Sequence, residues 1–334
     1  MAITLKDVAK AANVSIATAS LILNQKAGAI RFSADTIDRV RKFALSLGYV
    51  PNMSARNLRQ SEHGKPNLTL AVLWPVDTRV GLIGRILTGI HKFISSYEAI
   101  SINLLVKTMD ENGIKGVKEL LEPNLFNGAI LANTTIEDEE YIHNISLGVP
   151  IVLLHRTSPT YPYVSANNFE ACQKVAEHFL KNNHRKIVIL ASSVSSQALD
   201  QRLAGLVYAL GGKEYIIKYC SFSEESGYGA IVQLVEEGTL PTGLICLCDQ
   251  TAMGALSALN DYGISVPEEC EIFGFDNHSF SKFTIPKLST VNLPVEEMAF
   301  CAMGLLVQEN LDPSNLVKHK SFDLDLIYRG TTKS

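Results

Sequence analysis

A stretch near the N-terminus, VSIATASLILNQ at residues 14–25, carries hydroxyls and methyl groups but no charged side chain. Ser15 can cap a helix that runs to about Asn24, and apolar residues at helical spacing can pack inward. The side chains that remain wholly or partly outside are Ile16, Ala17, Thr18, Ser20 and Leu21. Hydroxyls suit phosphates and methyl groups can meet thymine methyls, so this helix could read a DNA major groove. A packing helix of a small bundle is the alternative.

Two further short helices flank this stretch. Thr4, followed three residues later by Asp7, resembles a capping box and predicts a first helix over about residues 5–12. Ser33 begins a third helix, whose apolar residues recur at spacings of three and four, and Gly48 ends it. Three short helices with a tight turn between the first two predict a helix-turn-helix.

The segment that follows, GYVPNMSARNLRQ at residues 48–60, predicts one or two more helical turns that Asn52 can cap. Arg56 and Arg59 point away from the apolar residues of these turns. Such a helix is too short to be stable alone, so it could be a linker that folds only on DNA. A glycine and a proline then break the pattern.

Composition indicates a globular chain of two or three domains, since 46% of its 334 residues are hydrophobic and 19% are charged. Residues 1–65 hold ten Lys or Arg and four Asp or Glu, a formal charge of +6, whereas the whole chain carries −4. A basic head on an acidic body suits a head that meets a polyanion. A solvated basic surface has the same signature.

Several classes of protein lose support from what the sequence lacks. Its N-terminus has no apolar signal-peptide core and no stretch is apolar enough to span a membrane, so we expect a cytoplasmic protein. The six cysteines form no CxxC pair and no histidines have zinc-finger spacing, so we expect reduced thiols and no metal or cofactor. Without a GxSxG motif, an HExxH motif or a close carboxylate pair with a companion base, we expect no enzyme.

The rest of the chain alternates apolar runs with helical patterns. The first four runs begin near residues 68, 101, 128 and 150, and four more begin near residues 186, 214, 243 and 270. This rhythm predicts two similar halves, each a parallel sheet covered by helices on both faces. No GxGxxG motif follows the first strand of either half and no Walker lysine is present, which disfavours nucleotide-binding enzymes.

The sequence resembles the LacI/GalR-type bacterial transcription regulators nearly from end to end. The resemblance is carried by TLKDVAKAANVSIATASLILN, TIDRVRKFALSLGYVPNMSARNLR, RLAGL, CDQTAMGALSALNDYGISVPEECEIFGFD and PKLSTV. It implies an α/β fold with a small all-α helix-turn-helix head and a periplasmic-binding-protein-like body of two Rossmann-like subdomains. It also implies a homodimer that binds double-stranded operator DNA and a small-molecule effector, a sugar or related metabolite. A solute-binding sensor without a DNA role is the alternative.

The same resemblance divides the chain. It implies a helix-turn-helix domain at residues 1–49, a hinge helix and linker at 50–65, and an effector-binding and dimerisation domain at 66–334. The chain would pass three times between the two subdomains of that last domain. The N-subdomain then comprises about residues 66–164 and 293–320, and the C-subdomain about residues 165–292 and 321–334.

In the resembled family the hinge helix lies in the minor groove, where a leucine wedges between bases and kinks the duplex. That role falls on Leu58, and Ala55 matches the alanine that packs against the partner hinge. The recognition helix has Leu21 where arginine is common, so base reading should be unusually apolar. Arg31, in a longer loop than usual, is a candidate phosphate contact, and a flexible loop is the alternative. The predicted DNA-contacting residues are Thr4, Ser15, Ile16, Ala17, Thr18, Ser20, Leu21, Asn24, Arg31, Asn52, Ala55, Arg56 and Leu58.

Three candidate effector contacts match motifs of the family. Arg202, in QRLAGL, supplies a guanidinium suited to paired hydroxyls or a carboxylate, and Asp276, in FGFD, supplies an acceptor for sugar hydroxyls. Phe222 matches an aromatic residue that often stacks on a sugar ring. A structural ion pair, a helix cap and plain core packing are the respective alternatives.

Two further candidates depart from the sugar-binding pattern. His155 stands where aspartate is common, and Cys248 stands where asparagine is common, so we do not expect a common hexose as effector. Trp74, at the end of the first strand, and Asn133 complete the set of candidate effector contacts.

Overall fold

The computed structural model describes residues 5–23, 32–47, 67–75, 80–110, 112–121, 125–194, 196–312 and 319–333. The predicted hinge and linker, at residues 50–65, lies outside these ranges. Seven predicted DNA-contacting residues also lie outside them: Thr4, Asn24, Arg31, Asn52, Ala55, Arg56 and Leu58.

Three helices form the N-terminal head: α1 (Leu5–Ala11), α2 (Ile16–Leu23) and α3 (Ala34–Ser46). Each contributes apolar side chains to a small core, among them Val8, Ala19 and Val40, which are fully buried. Asn13 has a left-handed backbone, with φ of 51°, which lets the chain turn sharply between α1 and α2. This arrangement confirms the predicted helix-turn-helix.

The first lobe of the body is built on a six-stranded sheet. Its strands are β1 (Asn67–Pro75), β2 (Ser101–Met109), β3 (Gly128–Ala132), β4 (Ile151–Leu154), β5 (Tyr163–Ala166) and β11 (His319–Phe322). They lie in the order β11-β5-β4-β3-β1-β2, and every neighbouring pair is parallel. The helical segments of this lobe are α4 (Val80–Ser96), α5 (Ile136–His143), α10 (Val295–Leu311) and two 3-10 turns, Gly113–Gly116 and Lys118–Leu120.

The second lobe repeats the design. Its strands are β6 (Ile187–Ser192), β7 (Tyr215–Cys220), β8 (Gly243–Cys246), β9 (Glu271–Phe275), β10 (Ser289–Asn292) and β12 (Asp325–Ile327). They lie in the order β12-β10-β9-β8-β6-β7, with only the β10–β12 pair antiparallel. The helical segments are α6 (Asn168–Lys181), α7 (Gln197–Leu210), α8 (Glu224–Glu236), α9 (Asp249–Asp261) and a 3-10 turn, Ser279–Lys282.

The chain passes between the two sheets three times, after β5, after β10 and after β11. Apolar side chains on both faces of the sheets are buried under helices, as the two-halved α/β prediction requires. All eight strands expected from the apolar runs are present, each beginning within one residue of the expected position. The unpredicted strands β5, β10, β11 and β12 have only three or four residues and include polar ones, so they lack an apolar run.

Helices α4 and α10 of the first lobe pack closely because one of them lacks a side chain at the contact. A Cβ atom added to Gly89 on α4 would lie 2.0 Å from the carbonyl oxygen of Glu296 on α10. The close approach also brings Arg85, one turn earlier on α4, to the carboxylate of Glu296, with 2.7 Å between Nη2 and Oε2. The glycine thus helps to position a charged group that reaches the second lobe.

We expect Gly89→Ala to lower the free energy of unfolding by about 1–3 kcal/mol, because the new methyl group must push α4 away from α10. Gly84→Ala on the same helix is the matched control, since no atom lies within 4 Å of its added Cβ. That control should be neutral or stabilising by up to about 1 kcal/mol, because alanine favours helix over glycine. Urea unfolding of both variants measures the difference, and equal stability would contradict the packing argument.

Candidate functional site

Helix α2 presents an uncharged surface on the outside of the head. Ile16 is the most exposed large apolar residue there, at 50%. All six predicted contact residues that the structure describes at this helix are exposed or half-buried: Ser15, Ile16, Ala17, Thr18, Ser20 and Leu21. The inward residues Ala19 and Ile22 are buried. The helix therefore offers methyl and hydroxyl groups to a partner while its other face holds the head together.

Hydrogen bonds at both ends of the turn fix the position of α2. The hydroxyl oxygen of Ser15 accepts from the backbone N–H of Thr18 at 3.0 Å, so Ser15 caps the helix as predicted. Arg39 on α3 donates through Nε to the carbonyl oxygen of Ala12, at the end of α1, at 3.0 Å. The second helix is thus held between its two neighbours as part of one small rigid unit.

A second group of functional side chains lies between the lobes of the body. Asn133, His155 and Asp276 each follow the last residue of a parallel strand, namely β3, β4 and β9. All three have a left-handed backbone, with φ of 52°, 64° and 106° respectively. They line one cavity of about 30 Å³, where the carboxyl ends of the sheets meet. Its lining is Leu82, Asn133, His155, Arg156, Ser196, Ala198, Leu199, Arg202, Phe222, Asp276 and Leu293.

Five of the seven candidate effector residues line this cavity: Asn133, His155, Arg202, Phe222 and Asp276. Trp74 and Cys248 are not part of the lining. Trp74 is 5% exposed and packs in the apolar core, and the sulfur of Cys248 lies 2.9 Å from the hydroxyl of Thr251. Phe222 both lines the cavity and packs in the core.

Arg202 is buried, and its guanidinium contacts three groups of the second lobe. Nε donates to Oδ1 of Asn168 at 3.0 Å, Nη1 to the carbonyl oxygen of Leu247 at 2.8 Å, and Nη2 to Oδ1 of Asp276 at 3.3 Å. The guanidinium carbon also lies 3.4 Å from the centre of the Phe275 ring. These contacts hold an arginine–aspartate ion pair rigidly at the cavity wall.

Arg156 belongs to the same wall, and the sequence reasoning missed it. Its Nε lies 2.9 Å from Oε1 of Glu139 and donates to the hydroxyl of Thr134 at 3.1 Å, and Nη2 donates to the carbonyl oxygen of Thr134. Nη1 donates to the carbonyl oxygen of His155 at 3.2 Å. Arg156 therefore links, by hydrogen bonds, the two turns that contain Asn133 and His155. The only signal in the sequence is an arginine two positions after the end of an apolar run.

Two polar contacts join the lobes beside the cavity. Arg85 of the first lobe donates through Nη1 to the carbonyl oxygen of Asp276 at 2.8 Å, while its Nε and Nη2 hold the carboxylate of Glu296. Gln197 of the second lobe accepts through Oε1 from the backbone N–H of Thr157 at 2.6 Å. The lobes are thus hydrogen-bonded to each other, and the cavity between them is narrow.

The side-chain amide nitrogen of Asn133 is buried in the cavity wall. Nδ2 of Asn133 has no hydrogen-bond partner among the residues that the structure describes, although the residue is only 8% exposed. Leaving a buried donor unpaired costs about 1–3 kcal/mol, which an acceptor on a bound molecule could recover. Asn133 is therefore a candidate contact on structural as well as sequence grounds.

A second carboxyl group lies behind the cavity wall. Burial, and then the neighbouring charge of Asp276, raise the pKa of Asp249 to about 8. Its Oδ1 accepts from the hydroxyl of Thr290 at 2.7 Å, and its Oδ2 accepts from the backbone N–H of His278 at 2.6 Å. The raised pKa favours the protonated form of Asp249 at neutral pH, because ionised Asp249 would place a second buried negative charge near Asp276.

Two kinds of site find no support in the described structure. Across the described ranges, no group of three or more His, Cys, Asp or Glu side chains is arranged to hold a metal ion. None of the described helices combines the length and apolar character that crossing a membrane requires.

Sequence comparisons match the head and the body separately. The profile of "Bacterial regulatory proteins, lacI family" matches residues 4–52, and that of a "Periplasmic binding protein-like domain" matches residues 176–332. The "Probable HTH-type transcriptional repressor ExuR" of Bacillus subtilis is 28% identical over 305 residues, covering 89% of this chain and 88% of the relative. The "HTH-type transcriptional repressor CytR" of Escherichia coli K12 is 28% identical over 343 residues, covering 100% and 97%.

Solved structures share the fold. A LacI family transcription regulator from Clostridium acetobutylicum superposes with a TM-score of 0.72 at 26% identity, covering 78% of this chain and 99% of that one. The lac repressor dimer bound to operator and the anti-inducer ONPF has a TM-score of 0.72 at 24% identity, covering both chains completely. The latter likeness spans the head as well as the two lobes.

The raised pKa of Asp249 predicts a specific pH dependence of stability. Between the ordinary aspartate pKa of about 4 and the folded value of about 8, the folded chain holds a proton that the unfolded chain has lost. The stability from this group is therefore full at low pH and declines as pH rises, by up to about 1.4 kcal/mol per pH unit.

Asp249→Asn cannot titrate, so the stability of the unsubstituted chain relative to this variant should decline with pH across that window. Urea unfolding at a series of pH values measures the decline. Asp261→Asn, at an exposed position at the end of α9, is the control and should show no such trend. A constant stability difference between the unsubstituted chain and Asp249→Asn would show that the pKa of Asp249 is not raised.

Proposed function

Because the chain belongs to the LacI family of bacterial regulatory proteins, we propose that it represses transcription by binding operator DNA through its head. The observation that carries this proposal is the uncharged, methyl- and hydroxyl-bearing surface of α2 on a head of formal charge +6. Basic residues supply attraction to phosphates without discrimination, whereas small side chains in the major groove read bases.

The DNA contacts divide into two sets. In the first, Ser15, Ile16, Ala17, Thr18, Ser20 and Leu21 read the major groove, with Thr4, Asn24 and Arg31 beside them. In the second, Asn52, Ala55 and Arg56 belong to a hinge whose Leu58 wedges into the minor groove. Two hinges support each other in a homodimer, and two heads related by a twofold axis meet successive major grooves of a pseudo-palindromic operator. The protein works in the cytoplasm, where it can reach the DNA.

The body binds a small-molecule effector between its lobes. Asn133 and His155 of the first lobe face Arg202, Phe222 and Asp276 of the second across one cavity, which supports a ligand that touches both sides. The effector is a sugar or a related metabolite, and we retain Trp74 and Cys248 as candidates that a wider cleft would expose. The domain boundaries are 1–49, 50–65 and 66–334, the last divided between the lobes.

Effector binding changes DNA affinity through the angle between the lobes. A ligand that contacts both lobes favours one relative arrangement by the difference in its affinity for the two arrangements. Only that difference can move the hinges and alter operator binding. The crossovers after β5, β10 and β11 are the segments about which the angle changes, because they alone link the two sheets covalently.

We expect Ile16→Ala to weaken binding to a selected operator about ten-fold or more, because each methyl or methylene group lost from the buried contact contributes about 0.8 kcal/mol. Binding to random DNA should change much less, since phosphate contacts stay intact. Ile136→Ala, at an exposed position of the body, is the matched control, with 46% exposure against 50% for Ile16. Gel-shift titration measures both, and an equal loss on operator and random DNA would contradict base reading by α2.

We expect Asp276→Asn and Arg202→Ala to abolish the response of operator binding to the effector. Thermal-shift screening of sugars, sugar phosphates, nucleosides and polyols identifies a ligand, and DNA binding with and without it measures the response. Asparagine tolerates the left-handed backbone of Asp276, and Asp261→Asn is the control. Variants that fold and respond normally would remove both residues from the effector site.

A further inference from the structure

The imidazole of His278 lies between the two lobes. His278 stands in the turn after β9 of the second lobe, and its ring packs against the first turn of α4 in the first lobe. A Cβ atom added to Gly81 on α4 would lie 2.1 Å from Nε2 of this ring. The missing side chain at Gly81 therefore makes room for the imidazole, and the contact exists only while the lobes are close together.

Both ring nitrogens of His278 are buried, and neither has a hydrogen-bond partner among the residues that the structure describes. The ring stacks on Phe280, with 4.7 Å between the ring centres. Its backbone N–H donates to Oδ2 of Asp249 on α9 at 2.6 Å, which fixes the turn. A neutral imidazole leaves one N–H donor unpaired here, whereas a protonated one leaves two and adds a buried charge. The closed arrangement of the lobes therefore favours the neutral ring.

Charged side chains face this ring from both lobes. Asp276, after β9, and Glu224, on α8, belong to the second lobe, as His278 does, whereas Arg85 on α4 and Glu296 on α10 belong to the first. Burial of the ring lowers the pKa of His278 below its usual value. The three carboxylates act to raise that pKa and the guanidinium acts to lower it, but burial is the largest influence.

Separating the lobes changes these influences unequally. It admits water to the ring and removes Arg85 and Glu296 together, since those two are ion-paired with 2.7 Å between Nη2 and Oε2. Asp276 and Glu224 stay beside the imidazole, because they belong to the same lobe. The open arrangement therefore binds a proton on His278 more tightly than the closed one does.

We propose that His278 makes the closure of the cleft sensitive to protons, so that the neutral imidazole packs against Gly81 and its protonation opens the lobes. Well above the ordinary histidine pKa of about 6.5 the ring is neutral in both arrangements, so pH has no effect through it. As pH falls through that value, the open arrangement gains a proton that the closed one lacks, and the ratio of open to closed molecules rises by at most about ten-fold per pH unit. The proposal concerns the lobes alone, so it goes beyond the proposed function and does not depend on it.

The test measures lobe opening in the full-length protein by hydrogen exchange of the Thr157 N–H, which is donated to Oε1 of Gln197 across the lobes. The protection factor of this N–H falls as the population of opened molecules rises. Between about pH 7.5 and about pH 5.5, we expect it to fall about three-fold or more further in the unsubstituted chain than in His278→Phe. Phenylalanine fills the site with a ring that cannot titrate. The titration of other groups, Asp249 among them, cancels in this comparison.

Two matched controls separate this contact from other effects. His91→Phe replaces an exposed histidine of α4 and should keep the pH dependence of the unsubstituted chain. Gly81→Ala displaces the imidazole from the first lobe's side, so it should reduce the pH dependence as His278→Phe does. Gly84→Ala, with no atom within 4 Å of its added Cβ, should not. His278→Gln replaces His278→Phe if that variant fails to fold.

The same pH dependence in the unsubstituted chain and in His278→Phe would overturn the proposal, and so would a protection of Thr157 that rises on acidification. An equal loss of pH dependence in Gly81→Ala and Gly84→Ala would contradict the assigned contact. Exchange that behaves as expected, together with an operator affinity that does not vary with pH in the same window, would support this inference while contradicting the proposed control of DNA binding by the lobe angle.

Discussion

The two lobes depend on each other through Asp276, at the end of β9. Its carboxylate accepts a hydrogen bond from Nη2 of Arg202 in the second lobe. Its backbone carbonyl oxygen accepts one from Nη1 of Arg85 in the first lobe. Its backbone N–H donates to the carbonyl oxygen of Val291, on the strand that leads to the second crossover. Removing one partner of such a buried ion pair costs about 3–5 kcal/mol, so this residue is under strong structural constraint.

The sequence predicts the strands and three of the cavity residues for the same reason. A parallel strand buried on both faces must be an apolar run, and the residue after that run lies at the carboxyl edge of the sheet. Asn133, His155 and Asp276 each stand directly after such a run, so the sequence alone predicts their position at the edge of the sheet. Short strands with polar residues, such as β11 and β12, are not predicted from the sequence, because they form by pairing with a neighbouring strand rather than by burying an apolar run.

The contacts made by long side chains could not be predicted in this way. Arg85 and Asp276 are 191 positions apart, and nothing in the periodicity of α4 indicates which way a guanidinium will extend. The sequence gives equally little indication of the buried contacts of Arg156, because an arginine after a strand is usually solvated. Trp74 shows a related limit of the sequence, since a strand end can point into the core as readily as into a cleft.

The narrowness of the cavity links binding to the angle between the lobes. Ligand sites usually measure about 300–1,000 Å³, far more than the 30 Å³ found here, so a sugar-sized molecule needs the lobes to separate. Separation lengthens or breaks the contacts of Arg85 with Asp276 and of Thr157 with Gln197, which join the lobes directly. A bound molecule must replace those contacts with its own. Because hydrogen bonds hold the cleft closed, the angle between the lobes and the occupancy of the cleft by a ligand belong to one equilibrium. This coupling is the physical condition for a ligand in the body to act on the head.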